Sequence, residues 1–330
     1  MASIPVNLYA QWRAVCSGVL AFQEASDTAP ISERLLQLVW HYQRLLRDQL
    51  QTVDGQRVRV LHPGFWNREA GPDFRGAVVQ IGDGPVASGD VEIDLSSQGW
   101  HGHNHDQNPA YRKVILHVVW DGPGASGGTL PTLPVKPFLD APLGELKLWL
   151  GRYSLRKFAG PLLGQCSAPL RDQPPWRVAE MLRQAAFIRL QAKAAQFQAR
   201  ARQVGWEQSL WEGLFGALGY KHNVWPMRRV AELLPLLRPK EAADVSPFIL
   251  QARLLGISGL LPMELSGAYS ATGSYIRSVW DIWWRTRETF AEMILPRTLW
   301  RYHGLRPANH PQRRLALAAE QGALLEGRDI

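Results

Sequence analysis

The sequence predicts an α+β N-terminal domain, with a mixed sheet and a flanking helix, followed by an all-α C-terminal domain. Apolar residues alternate with a period of two in several segments between residues 57 and 120, whereas helical spacing prevails after about residue 175. A chain of 330 residues of which 46% are hydrophobic is long enough for two domains. We therefore expect domains at residues 1–170 and 171–330.

The first predicted element is a helix that begins after Ser32, a residue type that caps helix N-termini, and continues to Leu46. Its apolar residues recur at helical spacing and predict one buried stripe. They are Leu35, Leu38, Val39, Tyr42, Leu45 and Leu46.

Four strands are predicted next, separated by turns rich in glycine and proline. Their residues are 57–61, 77–81, 90–95 and 114–120. The last segment is an almost continuous apolar run, which is typical of a central strand that is buried on both faces. Residues 122–137 are rich in Gly and Pro and indicate a loop or a short edge strand.

The C-terminal half predicts one long helix over residues 176–202, followed by shorter helices. On the long helix, apolar residues at helical spacing are expected to face inwards. These are Val178, Leu182, Ala186, Leu190, Ala194 and Phe197. The shorter helices are expected over residues 207–218, 227–237, 248–255 and 275–291.

The chain is basic, with a formal net charge of +8 and a pI near 9.7. This charge favours an anionic partner, nucleic acid first and a membrane surface second, although an inert basic surface would carry the same charge. On the long helix Arg189, Lys193 and Arg200 share one face, which predicts contacts with nucleic-acid phosphates. The alternative is an ordinary solvated helix face.

Cys16 and Cys166 are too few for a disulfide framework or a cysteine zinc site, which suggests a reducing compartment. The apolar run over residues 14–22 is too short to span a bilayer. We therefore expect a soluble, cytoplasmic protein that does not associate with membranes.

A set of acidic residues predicts a metal site. Asp73 opens the second long strand, and Glu92 and Asp94 leave the same face of the third strand because they are two residues apart. A tight turn between these strands would bring Asp73 beside Glu92. Carboxylates on one patch repel each other unless a cation neutralises them, and oxygen ligands suit Mg²⁺ or Mn²⁺. The alternative is the polar face of a half-exposed strand.

Histidines follow this strand at His101, His103 and His105, with Asp106 next to them. Imidazoles bind transition metals, so the segment could be a metal loop. His103 or His105 could instead overhang the carboxylates as a general base or phosphate contact. A third alternative is a polar loop that bonds Asp106. We expect His117, inside an apolar strand, to be a core histidine.

The order of elements from Ser32 to Trp120 resembles the PD-(D/E)XK nuclease core, with Pro72-Asp73 and Glu92-Ile93-Asp94 at the positions of its motif. The resemblance implies that Asp73 and Glu92 ligate a divalent metal and that Glu33 on the leading helix completes the site. In that family a lysine stands two residues after the Glu, where this chain has Asp94. Either the acid serves instead, or the lysine has migrated, with Lys113 as the candidate, or the site is inactive.

The chain also resembles an uncharacterised bacterial family that is known only as a domain of unknown function. That resemblance spans most of the chain and implies no activity. Its signatures are Gly71-Pro72-Asp73-Phe74, Gly89-Asp90-Val91-Glu92-Ile93, Trp100-His101-Gly102-His103, Tyr111, Leu116-His117-Val118-Val119 and Gly304-Leu305-Arg306-Pro307-Ala308-Asn309.

Together these features predict a divalent-metal-dependent nuclease that acts on DNA or RNA. In this interpretation Asp73, Glu92 and Glu33 bind Mg²⁺ or Mn²⁺. Asp94, His103, His105 and Lys113 are the candidates for the catalytic groups. The alternative from another class is a catalytically inactive nucleic-acid-binding or scaffold protein that retains a nuclease-like core.

Overall fold

The computed structural model describes residues 31–122, 130–150, 173–238, 246–265 and 271–325. The strands are β1 (Val58–His62), β2 (Phe65–Trp66), β3 (Phe74–Ile81), β4 (Ala87–Asp94), β5 (Val114–Val119) and β6 (Thr132–Pro134). The helices of the first half are α1 (Glu33–Tyr42), α2 (Gly99–Gly102) and α3 (Leu143–Leu150). Those of the second half are α4 (Pro175–Val204), α5 (Trp206–Leu218), α6 (Val224–Glu232), α7 (Leu234–Leu237), α8 (Pro247–Ile257), α9 (Ala271–Thr286) and α10 (Pro311–Leu325). Short 3₁₀ helices lie at Pro109–Tyr111, Lys136–Phe138, Arg287–Met293, Arg297–Leu299 and Pro307–Asn309.

The strands form one mixed sheet in the order β1-β3-β4-β5-β6, with β2 paired to β3. The β2–β3 pair is antiparallel, whereas β4–β5 and β5–β6 are parallel. The connection between the neighbouring strands β3 and β4 is residues 82–86, too short for a parallel crossover, so these two strands run antiparallel. The prediction of a mixed sheet followed mostly by helices is confirmed, with β5 in the sheet interior and β6 at an edge.

Helix α1 begins where the sequence predicts, because the Ser32 hydroxyl accepts a hydrogen bond from the Leu35 amide. The helix ends at Tyr42 rather than Leu46, so the predicted C-terminal boundary is wrong. Gln43 adopts a left-handed conformation with φ of 49°, and its side-chain amide donates to the Trp40 carbonyl at 2.7 Å. This polar cap ends the helix although apolar residues continue at helical spacing.

The chain folds into two compact units that alternate along the sequence. The first contains the described residues up to Val58, then Phe65–Arg75 and Gly89–Arg200. The second contains Arg59–Gly64, Gly76–Ser88 and the described residues from Ala201 onwards. Parts of β1, β3 and β4 thus belong to the second unit, together with the helices that follow α4.

The inward face predicted for the long helix is wrong. On α4, Leu182 and Leu190 are 61% and 65% exposed, whereas Met181, Ala192 and Ala199 are buried. Apolar residues occur on several faces of this helix, so their spacing does not select one face. Small side chains at Ala192 and Ala199 allow close packing on the face that is buried.

The second unit has a core of apolar residues from its helices, including Phe215, Met227, Leu254 and Trp283. The helix predicted over residues 227–237 is divided into α6 and α7, where Pro235 stands near the start of the second piece. None of the helices in the part of the chain described here combines the length and apolarity needed to cross a membrane.

Candidate metal centre

Four carboxylates approach one another in the first unit because three elements deliver them to one end of the sheet. Glu33 lies in the first turn of α1, Asp73 immediately precedes β3, and Glu92 and Asp94 are close to the end of β4. The side chains of Glu92 and Asp94 leave the same face of the strand, and both residues are buried, with 7% and 3% of their surface exposed. Carboxylates buried this deeply need compensating partners.

Asp73 and Glu92 are directly connected, since the backbone N–H of Asp73 donates to Oε2 of Glu92 at 3.1 Å. Gln37, one turn after Glu33 on α1, donates through Nε2 to Oδ1 of Asp73 at 2.8 Å and to Oε1 of Glu33 at 3.2 Å. The other oxygen of Asp73, Oδ2, is buried and has no hydrogen-bond partner among the described residues. The pair expected from the sequence is therefore brought together, with one acceptor left unsatisfied.

Asp94 is held from both sides of its carboxylate. Nε2 of His117 on β5 lies 2.9 Å from Oδ2, and Nδ1 of His103 lies 3.4 Å from Oδ1. His117 reaches this position because it is the register partner of Glu92 in the parallel β4–β5 pair. Helix α2 packs very close to Asp94: a Cβ on Gly99 would lie 2.5 Å from the Cγ of Asp94.

His105 is fixed by aromatic contacts. Its ring stacks on Tyr111 with the centroids 3.9 Å apart, and the Trp100 ring lies 5.5 Å away. Nε2 of His105 is 3.4 Å from Oε1 of Glu92, but the geometry does not satisfy a hydrogen bond. Both ring nitrogens are thus buried without a hydrogen bond to any described residue.

Burial and mutual repulsion disturb the titration of these groups. Burial, followed by the neighbouring Asp73 charge, raises the pKa of Glu92 to about 8. Burial likewise raises the pKa of Asp73 to about 6, against the hydrogen bond from Gln37, which lowers it. The pKa of His105 is lowered, chiefly by burial, which favours the neutral imidazole. In the absence of a cation, bound protons therefore neutralise part of the negative charge of these carboxylates.

One part of this cluster has the arrangement of a metal-ligand set. One ligand atom each from Asp94, His103 and His105 lies within 4.8 Å of the others. Glu92 borders this set through its contact with His105. The carboxylates of Asp73, Glu92 and Glu33 are outside this set and offer further oxygen ligands.

Other residues predicted from the sequence lie elsewhere. Lys113 is exposed, and its carbonyl accepts a hydrogen bond from the amide of Asp90. It therefore lies just before β5, at the opposite end of the parallel β4–β5 pair from Asp94. His101 is near Asp106, with 3.7 Å between Nδ1 and Oδ2.

On α4, Arg189 and Lys193 are exposed. Arg200 is different, because its guanidinium lies 3.4 Å from the carboxylate of Asp48 and only 14% of its side chain is exposed. The three cations predicted to form one surface are therefore not equivalent.

Sequence reasoning missed several residues of the centre. Gln37 is one turn from Glu33 on the same helix, a spacing that could have suggested it. His117 was expected in the core, where it is indeed buried, but its bond to Asp94 depends on the strand register. Tyr111 belongs to the signature of the domain-of-unknown-function family, but its contact with His105 could not be predicted from that, and Gly99 gave no signal.

The shifted carboxylates predict a pH dependence of stability in metal-free protein. The pKa of Glu92 is about 8 in the folded chain, above its ordinary value of 4.5, so the folded state binds more protons between these values. The free energy of unfolding should therefore be highest at acidic pH and fall by on the order of 2–4 kcal/mol as the pH rises from about 5 to 8. Chemical denaturation in the presence of a chelator measures this.

Glu92→Gln should flatten that dependence, because the amide does not titrate. Glu288→Gln, at an exposed position of the second unit, serves as the control and should leave it unchanged. A Glu92→Gln profile as steep as that of the parent would show that other groups cause it.

The glycines of α2 provide a matched pair of substitutions. Gly99→Ala would force a Cβ against Asp94 and should destabilise the protein by about 1–3 kcal/mol through overpacking. Gly102→Ala, three residues later in the same helix, meets nothing within 4 Å and should be close to neutral. Thermal unfolding of both variants measures the difference, and equal stabilities would contradict the close approach of α2 to Asp94.

Comparison with known proteins gives one finding. No curated protein and no solved structure matched the chain. A family model described as "protein of unknown function (DUF2851)" matches residues 33–324, which includes every residue of the centre described above. The chain therefore belongs to the DUF2851 family of proteins of unknown function.

Proposed function

We propose that the protein hydrolyses phosphodiester bonds of nucleic acid with a divalent metal ion bound among Asp73, Glu92 and Glu33. The observation that carries this proposal is the buried Oδ2 of Asp73, which lacks a partner among the described residues beside a second buried carboxylate. A divalent cation would satisfy that oxygen and remove the repulsion between the two acids.

The donors favour a hard cation. Carboxylate oxygens suit Mg²⁺ and Mn²⁺, which polarise a phosphoryl oxygen and lower the pKa of bound water. Gln37 supports the arrangement because its amide orients Asp73 and Glu33 together. Asp94 is two residues further along β4 than Glu92 and adds a further carboxylate to the acidic cluster.

The missing lysine of the PD-(D/E)XK motif is compatible with this chemistry. Asp94 occupies its position and is engaged by His117, while Lys113 lies near Asp90. A divalent ion held by Asp73, Glu92 and Glu33 would supply Lewis acidity that lowers the pKa of a nearby water, which would reduce the need for a lysine. Hydrolysis would form a bond from the water oxygen to phosphorus and break the P–O bond to the leaving oxygen, which would take up the proton that the water releases.

Charge supports a polyanionic substrate. The chain carries a net charge of +8, and Arg189 and Lys193 lie exposed four residues apart on α4. Residues at this spacing share one helix face, so both can approach consecutive phosphates of a backbone.

Asp73→Asn tests the metal and the hydrolysis together. The wild type should be stabilised by Mg²⁺ in thermal unfolding, because a ligand bound only to the folded state raises its melting temperature. It should also cleave single- or double-stranded DNA or RNA. In the variant the Mg²⁺-dependent stabilisation should disappear, and cleavage should fall at least about 100-fold because the metal no longer stabilises developing charge.

Asp83→Asn, at an exposed position between β3 and β4, is the matched control and should retain both properties. If Asp73→Asn still responds to Mg²⁺ and still cleaves, the ion does not depend on Asp73. If the wild type binds nucleic acid but cleaves none of the four substrate types, the alternative of an inactive binding protein is favoured.

The basic face of α4 gives a separate prediction. Replacing Arg189 and Lys193 with Gln should weaken nucleic-acid binding and lower the slope of log affinity against log salt by up to about two, one per lost phosphate contact. Binding measured over a range of salt concentrations provides the slope. Arg277→Gln with Arg285→Gln removes the same charge from exposed positions of α9 and should change the slope less. Equal slopes in the two double variants would contradict a specific contact of nucleic-acid phosphates with Arg189 and Lys193.

The alternative function rests on Asp94. A buried carboxylate held by His117 at the position of the catalytic lysine is also what an inactive descendant of a nuclease would contain. Such a protein would bind nucleic acid with the same basic surface and would show no metal-dependent cleavage.

A further inference from the structure

We infer that Asp94, His103 and His105 form a binding site for a first-row transition-metal ion, distinct in its ligands from the Mg²⁺ or Mn²⁺ site among the carboxylates. The carboxylate comes from the end of β4, and the two imidazoles come from the residues just after α2. Binding of the ion is independent of the proposed hydrolysis, since it involves no substrate.

The distances fit one ion after a small adjustment. Ligand atoms about 2.0–2.2 Å from a common ion lie roughly 3–4 Å apart. Oδ1 of Asp94 and Nδ1 of His103 are already 3.4 Å apart, and all three ligand atoms lie within 4.8 Å of one another. The side chain of His103 is 60% exposed, so it can move the remaining distance at little cost.

His105 supplies the independent observation. Its side chain is 9% exposed, and neither ring nitrogen has a hydrogen-bond partner among the described residues. An imidazole buried without hydrogen bonds is costly, because its ring nitrogens have lost water and gained no partner in exchange. A metal ion at one nitrogen would offset that cost.

The surroundings hold the ligands in place. His117 bonds Oδ2 of Asp94, which leaves Oδ1 directed towards His103, the arrangement in which an outer residue orients a ligating carboxylate. Tyr111 and Trp100 confine the ring of His105. The exposed edge at His103 leaves a path for the ion and a coordination position for water.

The donor atoms select the class of ion. Imidazole nitrogen is a poor ligand for Mg²⁺ and Ca²⁺, which prefer oxygen, and a good one for Zn²⁺, Fe²⁺ and Co²⁺. Two histidines and one carboxylate with an open position are typical of catalytic zinc and iron centres. We therefore expect Zn²⁺ and Co²⁺ to bind here far more tightly than Mg²⁺.

Titration of metal-free, full-length protein with Co²⁺ tests this directly. The wild type should develop visible d–d absorption bands as one equivalent binds, and Zn²⁺ should displace the Co²⁺ and abolish them. His103→Ala should weaken Co²⁺ binding at least about 100-fold, because even residues that only orient a ligand change metal affinity 10–100-fold. Asp94→Asn, which preserves shape, should have an effect in the same direction.

His101→Ala is the matched control, since His101 lies two residues before His103, has 59% of its side chain exposed and is outside the ligand set. It should retain the wild-type spectrum and affinity. Circular dichroism of each variant establishes that it is folded. A His103→Ala variant that binds Co²⁺ as tightly as the wild type, with the same spectrum, would overturn the inference, as would a wild type that binds no Co²⁺.

Asp73→Asn separates this site from the carboxylate site. It should lose the Mg²⁺ response described above and keep the Co²⁺ spectrum. If it instead loses the Co²⁺ spectrum while His103→Ala keeps it, the ion binds among the carboxylates alone and the inference is wrong. Absence of nuclease activity would overturn the proposed hydrolysis without affecting this result.

Discussion

Two carboxylates on the same face of one buried strand constrain the whole of the first unit. Glu92 and Asp94 are separated by a single residue, so neither can turn to solvent without displacing β4 from the sheet. Each must find compensation inside the fold, because an isolated buried charge costs far more than the protein's net stability can accommodate. The neighbouring elements carry polar residues at the positions where this compensation is needed.

The compensation comes mostly from neutral donors. Glu92 accepts the amide of Asp73, and Asp73 accepts the side chain of Gln37. Neutral hydrogen bonds satisfy oxygen atoms but leave the summed negative charge in place, so burial, and after it repulsion between the carboxylates, raises the pKa of Glu92 and of Asp73. A site built in this way gains from a bound cation more than one already neutralised by arginine or lysine would.

The sequence predicted the elements better than their contacts. Alternating residues located the strands, and the spacing from Asp73 to Glu92 predicted their approach, because a short antiparallel connection leaves few registers open. The buried face predicted for α4 was wrong because apolar residues lie on several sides of that helix. The C-terminal boundary predicted for α1 was wrong because the polar cap at Gln43 ends the helix although the apolar spacing continues.

The partners of the acids were harder to predict. The contact of His117 with Asp94 depends on the parallel register of two strands whose connection spans residues 95–113. His105 acquires its aromatic neighbours only when that connection folds back onto the strand. Pairings of this kind depend on tertiary geometry, and residue spacing in one sequence does not determine them.

Because the two units alternate along the chain, the protein cannot be divided into its units by a single cut, and its gene cannot be divided in that way either. The helical unit takes Arg59–Gly64 and Gly76–Ser88 from within the segment that supplies Asp73 and Glu92 to the other unit. No single cut therefore yields two self-sufficient fragments, since a C-terminal fragment that starts near α4 lacks those strands and an N-terminal one exposes them. Recombination between genes would face the same obstacle, so we expect the end of the sheet that carries the carboxylates and the helices of the second unit to be inherited together.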